Sequence, residues 1–299
     1  MARPLDILGV RMAQSTWRLI RSGPLTGAMN MALDEALLEA VADGNSLPIL
    51  RLYGWAPPAV SLGYFQRGKG VVNPRACREL GYDVVRRNTG GRAVLHHREA
   101  TYAVISPEKS PLFPGGILEN YRVIAGVLLE AFRSLGVEAS LTPARERRGK
   151  EPGAQSSACF TAPASYELSF RGCKVTGSAQ KRQDGAFLQH GSIPVDIEPA
   201  RLFQALDTHG LHSPEEGGRL LEQKVGWLNR WLSQPAAVAQ VEESLIAAFA
   251  RQANIHFLED RPIPDELKRA GALAEAKYGN PRWVLKGIEA ETNGEDPSQ

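Results

Sequence analysis

The sequence predicts an α+β fold in which a mixed, largely antiparallel β-sheet is flanked by helices. Short apolar runs of strand length fill the first third of the chain, and two glycine-containing hairpin turns join three strands between residues 166 and 190. Helical patterns are interleaved with these strands and then dominate after residue 194. A chain of 299 residues can bury a substantial core, so we expect one large domain with at most a small appendage.

The first half of the chain alternates strands with two helices. Strands are predicted at residues 16–22, 49–53, 59–62, 82–86, 93–95 and 100–105. A helix is predicted over residues 27–42 because its apolar side chains recur every four residues, at Met29, Leu33, Leu37 and Val41. Its polar face would carry Asp34, Glu35 and Glu39. A short helix covers residues 74–80, and adjacent glycines break the strand that follows it.

The second half begins with a helix over residues 120–135, followed by Gly136 at the position where a helix-ending glycine belongs. Residues 143–157 are rich in charge, glycine, proline and serine and predict a loop. Three strands then form a meander, at residues 166–170, 174–181 and 186–190. Further helices are predicted at residues 199–206, 225–232 and 236–253, before a tail that is polar after residue 289.

Composition excludes several classes of protein. A formal charge of +2 is too small to indicate nucleic-acid binding. No apolar run approaches the roughly 18 residues of a membrane span, and residues 1–13 do not resemble a signal peptide. The three cysteines include no C-x-x-C pair, which argues against a disulfide framework or structural zinc site and makes the cytoplasm the expected location.

Two motifs suggest chemistry that we set aside. Residues 63–70 (GYFQRGKG) nearly spell a phosphate-binding P-loop, but Gly70 stands where a magnesium-binding hydroxyl belongs. His96 and His97 are neighbours on a predicted strand and therefore point to opposite faces, so they cannot hold one metal ion together. No metal site is predicted.

Cys159 and Lys174 form the candidate catalytic pair. Cys159 follows the predicted loop and precedes a proline-containing turn, and Lys174 opens a strand that the meander could bring back beside it. An ammonium group near a thiol lowers the pKa of that thiol and raises the fraction of nucleophilic thiolate. On the residues alone, an ordinary buried cysteine remains the alternative. Cys173 would point to the other face of the strand, and we interpret it as structural.

Four ordered motifs then resemble the lipoate and biotin protein ligase superfamily. They are residues 86–96 (RRNTGGRAVLH), 27–37 (GAMNMALDEAL), 177–180 (GSAQ) and 188–193 (LQHGSI). The resemblance runs from about residue 16 to residue 196 and implies a catalytic domain over residues 16–255 with a helical extension and tail over 256–299. The chain departs from the family signature at His97, where an aspartate is usual, and in its long charged segment around residues 145–151.

Within the superfamily, the spacing of Cys159 and Lys174 is similar to that of the LipM-type octanoyltransferases. The resemblance implies that Cys159 takes an octanoyl group from octanoyl-acyl carrier protein and passes it to a lysine of a lipoyl domain, on a glycine cleavage H protein or a 2-oxoacid dehydrogenase E2. Lys174 would activate the thiol, and no cofactor would be needed. Three alternatives stay open: an amidotransferase between lipoyl domains, an ATP-dependent lipoate ligase, and a non-enzymatic binder such as a repressor.

The acyl chain needs an apolar pocket, and we predict its walls at the glycine turn and at the strand after Lys174. Small residues there leave space for a chain. The predicted substrate-binding residues are Arg87, Thr89, Gly90, Gly91, Arg92, Ala93, His96, Gly177, Ser178 and Ala179. The arginines of the turn, Arg86 included, are expected to face the donor's phosphopantetheine or the acidic surface of a carrier protein.

Overall fold

The computed structural model describes residues 14–66, 71–113, 115–141, 168–206 and 212–285. The strands are β1 (Ser15–Leu25), β2 (Ile49–Trp55), β3 (Ala59–Leu62), β4 (Asp83–Arg86), β5 (Val94–His96), β6 (Glu99–Pro107), β7 (Ser140–Leu141), β8 (Leu168–Phe170), β9 (Cys173–Lys174), β10 (Gly177–Gln183), β11 (Ala186–Pro194) and β12 (Ile255–Asp260). The helices are α1 (Gly27–Ala42), α2 (Pro74–Leu80), α3 (Ile117–Ser134), α4 (Pro199–Leu206), α5 (Pro214–Glu222), α6 (Val238–Gln252), α7 (Pro264–Leu273) and α8 (Pro281–Val284).

The main sheet has six strands in the order β10-β11-β6-β2-β1-β12. β10 with β11, β11 with β6 and β6 with β2 are antiparallel, whereas β1 runs parallel to both β2 and β12. The predicted mixed, largely antiparallel sheet with flanking helices is confirmed. Two smaller sheets accompany it, in the orders β4-β3-β5 and β7-β8-β9.

Helices cover both faces of the main sheet because its strands alternate two apolar sets of side chains. Along β1, Trp17 and Leu19 pack in one core cluster with residues of α3 and α6. Ile20 packs on the other face, in a cluster with residues of α1 and α7. The result is three layers, α3 with α6, then the sheet, then α1 with α7.

The hairpin turns form as their residues predict. Arg171 and Gly172 have φ values of 49° and 78°, and Asp184 and Gly185 have φ values of 51° and 81°. Positive φ at both central residues gives the turn whose twist matches that of two paired strands, and glycine tolerates it best. Each turn therefore ends one strand and returns the next beside it.

Five local features of the structure differ from the prediction. The strand predicted at residues 174–181 is divided into β9 and β10, which lie in different sheets. The helix predicted at residues 225–232 is reduced to a 3₁₀ turn at Leu228–Arg230, because Val225 instead bridges to Lys174. Three elements were not predicted, α5, β7 and β12. A signal for α5 existed, since Ser213 and Glu216 form a capping box at its start.

Helix α1 is buried on nearly all sides, which corrects its predicted polar face. Asp34 is 1% exposed and Glu35 is 5% exposed, whereas the amphipathic pattern had placed both toward water. The helix is enclosed by the main sheet, β4 and α7. Buried carboxylates at these positions require partners from other elements, since an unpaired buried charge is costly.

No helix in the described parts of the chain is both long and apolar enough to cross a membrane. The predicted boundary at residue 255 coincides with the start of β12, which pairs with β1 from Ile255 to Asp260. The division into residues 16–255 and 256–299 stays a prediction.

Candidate active site

A cavity with about 370 Å³ of empty space lies where α1, the main sheet and the second sheet meet. Helix α1 provides one lining residue, and the others come from β2, β3, β5, β6, β10, β11 and the loop after β4. They are Met31, Tyr53, Trp55, Ser61, Arg87, Val94, His96, Thr101, Gly177, Ser178, Ala179, His190, Gly191 and Ser192.

The double-glycine turn between β4 and β5 passes closely against the end of β3. Gly91 has a φ of +93°, a conformation that favours glycine. A Cβ atom at Gly63 would lie 2.0 Å from the carbonyl oxygen of Gly91, so no larger residue fits there without a shift. The amide of Tyr64 donates to the carbonyl of Thr89 at 2.8 Å. These contacts hold the turn at one side of the cavity.

Arg87 fastens the turn from inside. Its Nη1 donates to the carbonyl and the hydroxyl of Ser61 at 2.9 and 2.8 Å, and its Nη2 donates to the carbonyls of Gly90 and Arg92 at 2.9 and 2.8 Å. The neighbouring Arg86 donates to the carbonyl of Gly63 at 2.8 Å.

Both arginines are buried, at 1% exposure for Arg86 and 5% for Arg87. Arg86 is therefore turned away from any donor at the surface, whereas Arg87 lines the cavity and its contact with a substrate stays a prediction. The guanidinium group of Arg87 donates to backbone carbonyls of the bend itself, and that of Arg86 donates to carbonyls of the loop after β3 and of Trp283. Arg92 is half-buried and is the arginine of the run that keeps contact with the surface.

His190 joins the turn to α1. Its Nε2 lies 2.7 Å from the hydroxyl of Thr89, and its Nδ1 lies 2.9 Å from Oδ2 of Asp34. Asp34 also receives hydrogen bonds from Arg51 at 2.6 Å and from the hydroxyl of Tyr53 at 2.9 Å. These residues make one buried network.

A second network surrounds His96. Its Nε2 lies 2.7 Å from the hydroxyl of Ser61, and its Nδ1 lies 2.7 Å from Oε1 of Glu99. The other oxygen of Glu99 accepts from the Ser192 hydroxyl at 2.6 Å. The indole of Trp55 stacks on the His96 ring with centroids 4.0 Å apart and an angle of 12° between the planes. The cavity thus has two hydroxyl–imidazole–carboxylate chains in its walls.

The buried carboxylates are held ionised by their partners. Burial by itself would raise the pKa of Asp34, but the charge of Arg51 and the hydrogen bond from His190 outweigh it and lower that pKa. Burial likewise opposes ionisation of Glu99, and His96 reverses the effect, so the pKa of Glu99 is also lowered. The pKa of His190 is lowered by burial, which outweighs the attraction of Asp34.

The structure brings five of the predicted binding residues to the cavity wall: Arg87, His96, Gly177, Ser178 and Ala179. Thr89 reaches the cavity through His190. Gly90 and Arg92 contribute their carbonyls to Arg87, and Gly91 shapes the turn. Ala93 faces a separate core cluster with Val60 and Leu62. The assignment of these ten residues to substrate binding stays a prediction.

The catalytic pair is described in part. Cys159, like the predicted loop at residues 143–157, lies outside the described residues. Lys174 is buried, at 8% exposure, and stands three residues before the cavity-lining Gly177. Its backbone joins residues 224–226, donating to the carbonyl of Lys224 at 3.0 Å and accepting from Gly226 at 2.8 Å. β9 ends at the lysine, and the chain then enters the cavity wall at the first residue of β10.

The two other cysteines are enclosed. Burial raises the pKa of the Cys77 thiol to about 11, which leaves almost no thiolate at neutral pH. Cys173 is 6% exposed, with its Sγ 3.6 Å from the carbonyl of Gln223. Both fit the structural role of a small buried apolar residue.

Several residues of the site were missed by sequence reasoning: Met31, Asp34, Arg51, Tyr53, Trp55, Ser61, Glu99, Thr101 and Ser192. One signal could have found Arg51, since it stands alone as a charge in the apolar strand ILRLYGW. A charge within such a strand indicates a buried partner.

Metal chemistry finds no support in the described ranges. Their histidines, cysteines and carboxylates form no group of three or more that could hold a metal ion. His97 lies on the opposite side of β5 from His96, near a second cavity with Tyr82 and Glu198.

Comparison with known proteins places the chain in a family. A model of the lipoyl protein ligase A/B catalytic domain matches residues 26–250, which is more than half of the chain. The chain belongs to this family. The match includes the glycine turn, both histidine networks up to residue 192 and the strand after Lys174.

Relatives within the family cover nearly the whole chain. An octanoyltransferase LipM of Symbiobacterium thermophilum is 41% identical over 91% of this chain and 99% of its own length. A protein of the same name from Bacillus subtilis is 39% identical over 92% of this chain and 100% of its own.

Solved structures of the family share the fold. A bipartite lipoate protein ligase of Thermoplasma acidophilum superposes with a TM-score of 0.74, at 23% identity, covering 94% of this chain and 100% of that one. A lipoate-protein ligase A bound with ATP gives 0.73 at 22% identity, covering 92% and 100%. At this identity the likeness concerns the fold alone.

Proposed function

We propose that this protein is an octanoyltransferase that moves an octanoyl group from acyl carrier protein to a lysine of a lipoyl domain through an acyl-enzyme at Cys159. This is the first step of lipoate cofactor biosynthesis, and we place it in the cytoplasm. The proposed acceptors are glycine cleavage H protein or a 2-oxoacid dehydrogenase E2. The near-full-length relatives that are named octanoyltransferases support the transfer reaction.

The observation that carries the proposal is the way the cavity satisfies its own polar groups. His96 hydrogen-bonds with Ser61 and with Glu99, and the hydroxyl of Thr101 donates to Glu99. His190 hydrogen-bonds with Asp34 and with Thr89. These polar groups already have hydrogen-bond partners in the wall, so a ligand in the cavity does not need polar groups to satisfy them. Met31, Trp55 and Val94 present apolar surface beside the small residues of β10. A saturated acyl chain suits these walls.

The proposed reaction has two steps. In the first, the Cys159 thiolate attacks the carbonyl carbon of octanoyl-acyl carrier protein, the bond from that carbon to the carrier's sulfur breaks, and the carrier leaves as a thiolate while the thioester now joins the octanoyl group to the enzyme. In the second, the neutral ε-amine of a lipoyl-domain lysine attacks that thioester. An amide forms, the enzyme thiolate leaves and the amine loses one proton. A thioester is exchanged for a thioester and then for a more stable amide, so ATP is not consumed.

Lys174 has two proposed roles in these steps. As an ammonium it would favour the thiolate form of Cys159, and in its neutral form it would accept the proton of the attacking amine. The free pKa of a lysine is about 10.4, so the acceptor amine needs such a base at neutral pH. We expect Lys174→Met to slow transfer by roughly 10²–10⁴-fold, measured as single-turnover acyl transfer.

Mass spectrometry of the intact protein tests the proposal. Mixed with octanoyl-acyl carrier protein and no ATP, the protein should gain one octanoyl group on Cys159, and addition of a lipoyl domain should remove it. Cys159→Ala should abolish both the adduct and transfer. The matched control is Cys77→Ala, which removes a cysteine whose pKa is raised to about 11 by burial and should leave the adduct in place.

Two outcomes would contradict this function. Transfer from free octanoate that requires ATP would identify a ligase. Transfer from an octanoylated lipoyl domain, with no reaction of the carrier-protein thioester, would identify an amidotransferase. Normal transfer by Cys159→Ala would exclude the cysteine mechanism.

A further inference from the structure

Phe65 is the most exposed large hydrophobic side chain of the described residues. It is 84% exposed, and its neighbour Tyr64 is 39% exposed. The rings of Phe65 and Tyr64 meet edge to face at 4.7 Å, and Tyr64 in turn meets the ring of Trp283 at 5.7 Å. We call these three residues the aromatic patch. An exposed aromatic group of this kind is typical of an interaction site.

The aromatic patch is held in place by the backbone beneath it. The indole of Trp283 donates to the carbonyl of Arg86 at 3.0 Å, and Arg86 donates back to the carbonyl of Trp283 at 3.0 Å. Arg86 also donates to the carbonyls of Gly63 and Gln66, at 2.8 and 2.6 Å. A partner that binds Phe65 therefore meets a pre-ordered surface and loses little conformational entropy in ordering it.

The same segment lies directly against the turn that borders the cavity. The backbone amide of Tyr64 donates to the carbonyl of Thr89. The hydroxyl of Thr89 lies 2.7 Å from Nε2 of the cavity-lining His190. Gly63 lies against Gly91 so closely that a Cβ atom would not fit. Phe65 thus directly follows two residues that contact the glycine turn at the side of the cavity.

Two arginines are neighbours in sequence of residues in or against the aromatic patch. Arg282 precedes Trp283 and is exposed, and Arg92 follows Gly91 and is half-buried. Aromatic residues with arginines at their edge match a partner surface that has an apolar centre and carboxylates around it.

We propose that the aromatic patch is the docking surface for the lipoyl domain that accepts the acyl group, through an apolar and acidic face beside its target lysine. The proposal rests on the proposed function. A lysine side chain is short, so the domain that carries it must sit at the edge of the cavity. A carrier protein presents its acyl group on a long flexible arm and can bind farther away. Proximity to the glycine turn therefore favours the acceptor as occupant.

A binding experiment tests the docking without any chemistry. The full-length protein is titrated with an unmodified lipoyl domain and the dissociation constant is measured by calorimetry. Phe65→Ala should raise this constant about tenfold, the effect of a central interface aromatic. Arg282→Glu should also raise it and should weaken its dependence on salt concentration. Because both side chains are exposed, the variants should keep the wild-type melting temperature.

The matched control is Leu47→Ala. Leu47 is 45% exposed, and it precedes β2 at the end opposite the cavity-lining Trp55. It should leave the constant unchanged. An unchanged constant for Phe65→Ala, or no binding of the lipoyl domain by the wild-type protein, would overturn the proposal.

A transfer experiment separates the donor from the acceptor. The enzyme is loaded with octanoate from a small octanoyl thioester and then mixed with lipoyl domain at increasing concentrations. Phe65→Ala should need about tenfold more acceptor for half-maximal transfer, with the loading rate unchanged.

A defect confined to loading by octanoyl-acyl carrier protein would instead show that the patch binds the donor. A wild-type protein that transfers nothing, but binds the lipoyl domain about tenfold more tightly than Phe65→Ala does, would refute the proposed function while confirming the docking.

Discussion

The direction of the hydrogen bonds around His190 follows from the charge on Asp34. The pKa of Asp34 is lowered, so this carboxylate is ionised and accepts from Nδ1 of His190. Nε2 is then left as an acceptor, and the hydroxyl of Thr89 donates to it. A neutral imidazole with both nitrogens occupied serves to position the turn rather than to act as a free base.

This arrangement makes stability depend on pH. Burial lowers the pKa of His190 from its ordinary value of 6.5. Below pH 6.5 the unfolded chain therefore binds a proton that the folded protein resists, and the free energy of unfolding falls as the pH drops. Above pH 6.5 this group has no effect. The slope from one such histidine can reach about 1.4 kcal/mol per pH unit.

Urea unfolding between pH 8 and pH 5 measures the effect. His190→Gln should flatten the fall in stability below pH 6.5, whatever its stability at pH 8. The exposed His212 gives the control, since His212→Gln should show the same change of unfolding free energy with pH as the wild-type protein. An equal slope in all three proteins would show that His190 titrates alike in the folded and unfolded states.

At the scale of elements, β11 and β6 meet at a glycine placed opposite a tyrosine. Gly191 pairs with Tyr102 across the two strands, and a Cβ atom at Gly191 would lie 2.5 Å from the Tyr102 ring. The tyrosine is fully buried, and its hydroxyl lies 2.8 Å from that of Ser178 in β10. The ring thus occupies the space of a missing side chain and reaches the cavity wall.

Gly191→Ala should consequently destabilise the protein by about 1–3 kcal/mol, as overpacking of a core does, and should weaken octanoyl loading by moving Ser178. Chemical denaturation and loading rates measure the two effects. Gly271→Ala is the control, because Gly271 lies in α7 with open space around its Cα and alanine is the better helix former. Adding Tyr102→Leu to Gly191→Ala should recover part of the loss.

At the scale of the whole molecule, the C-terminal part of the described chain is tied to the cavity side of the fold. β12 extends the main sheet beside β1, and α7 packs on α1. Glu35 of α1 accepts from Lys277 at 2.7 Å and from the hydroxyl of Tyr278 at 2.6 Å. Arg18 of β1 is paired with the buried Glu266. Helix α1, which carries Asp34, is thus covered by residues from the end of the chain.

Truncation tests how far this part is separable. A chain that ends after Arg261 should unfold at lower temperature than the full chain, because it exposes the buried face of α1. Since the shorter chain can fail to fold, Glu35→Gln provides a second test. It should lower the free energy of unfolding by about 1–3 kcal/mol, the cost of an unsatisfied buried group. Equal stability of all forms would show that residues 264–285 are an independent extension.

Much of the element pattern was predictable because it depends on near neighbours. The periodicity of α1 and the glycine after α3 mark these helices. Asp184-Gly185 and Arg171-Gly172 carry the positive φ values of hairpin turns. The motif at residues 86–96 located one wall of the cavity, and the four motifs together indicated the family that the match over residues 26–250 confirms.

Burial and pairing of charges were not predictable in the same way. Asp34 and Glu35 occupy positions that the helix pattern assigns to water, and their partners are far away in sequence. His190 is 156 residues from Asp34, and Tyr278 is 243 residues from Glu35. The parallel pairing of β12 with β1 likewise joins segments that are far apart in sequence, residues 15–20 and 255–260.

The sequence by itself therefore determined the α+β class, the turns and the family, because local conformational preference is set by residues a few positions apart. The tertiary structure alone decided that Arg87 binds the backbone of its own glycine turn, and that two buried imidazole–carboxylate chains line the cavity. The physical reason is that a buried charge is stabilised by the groups that the fold places within hydrogen-bond distance of it. The separation of those groups along the chain has no bearing on that distance.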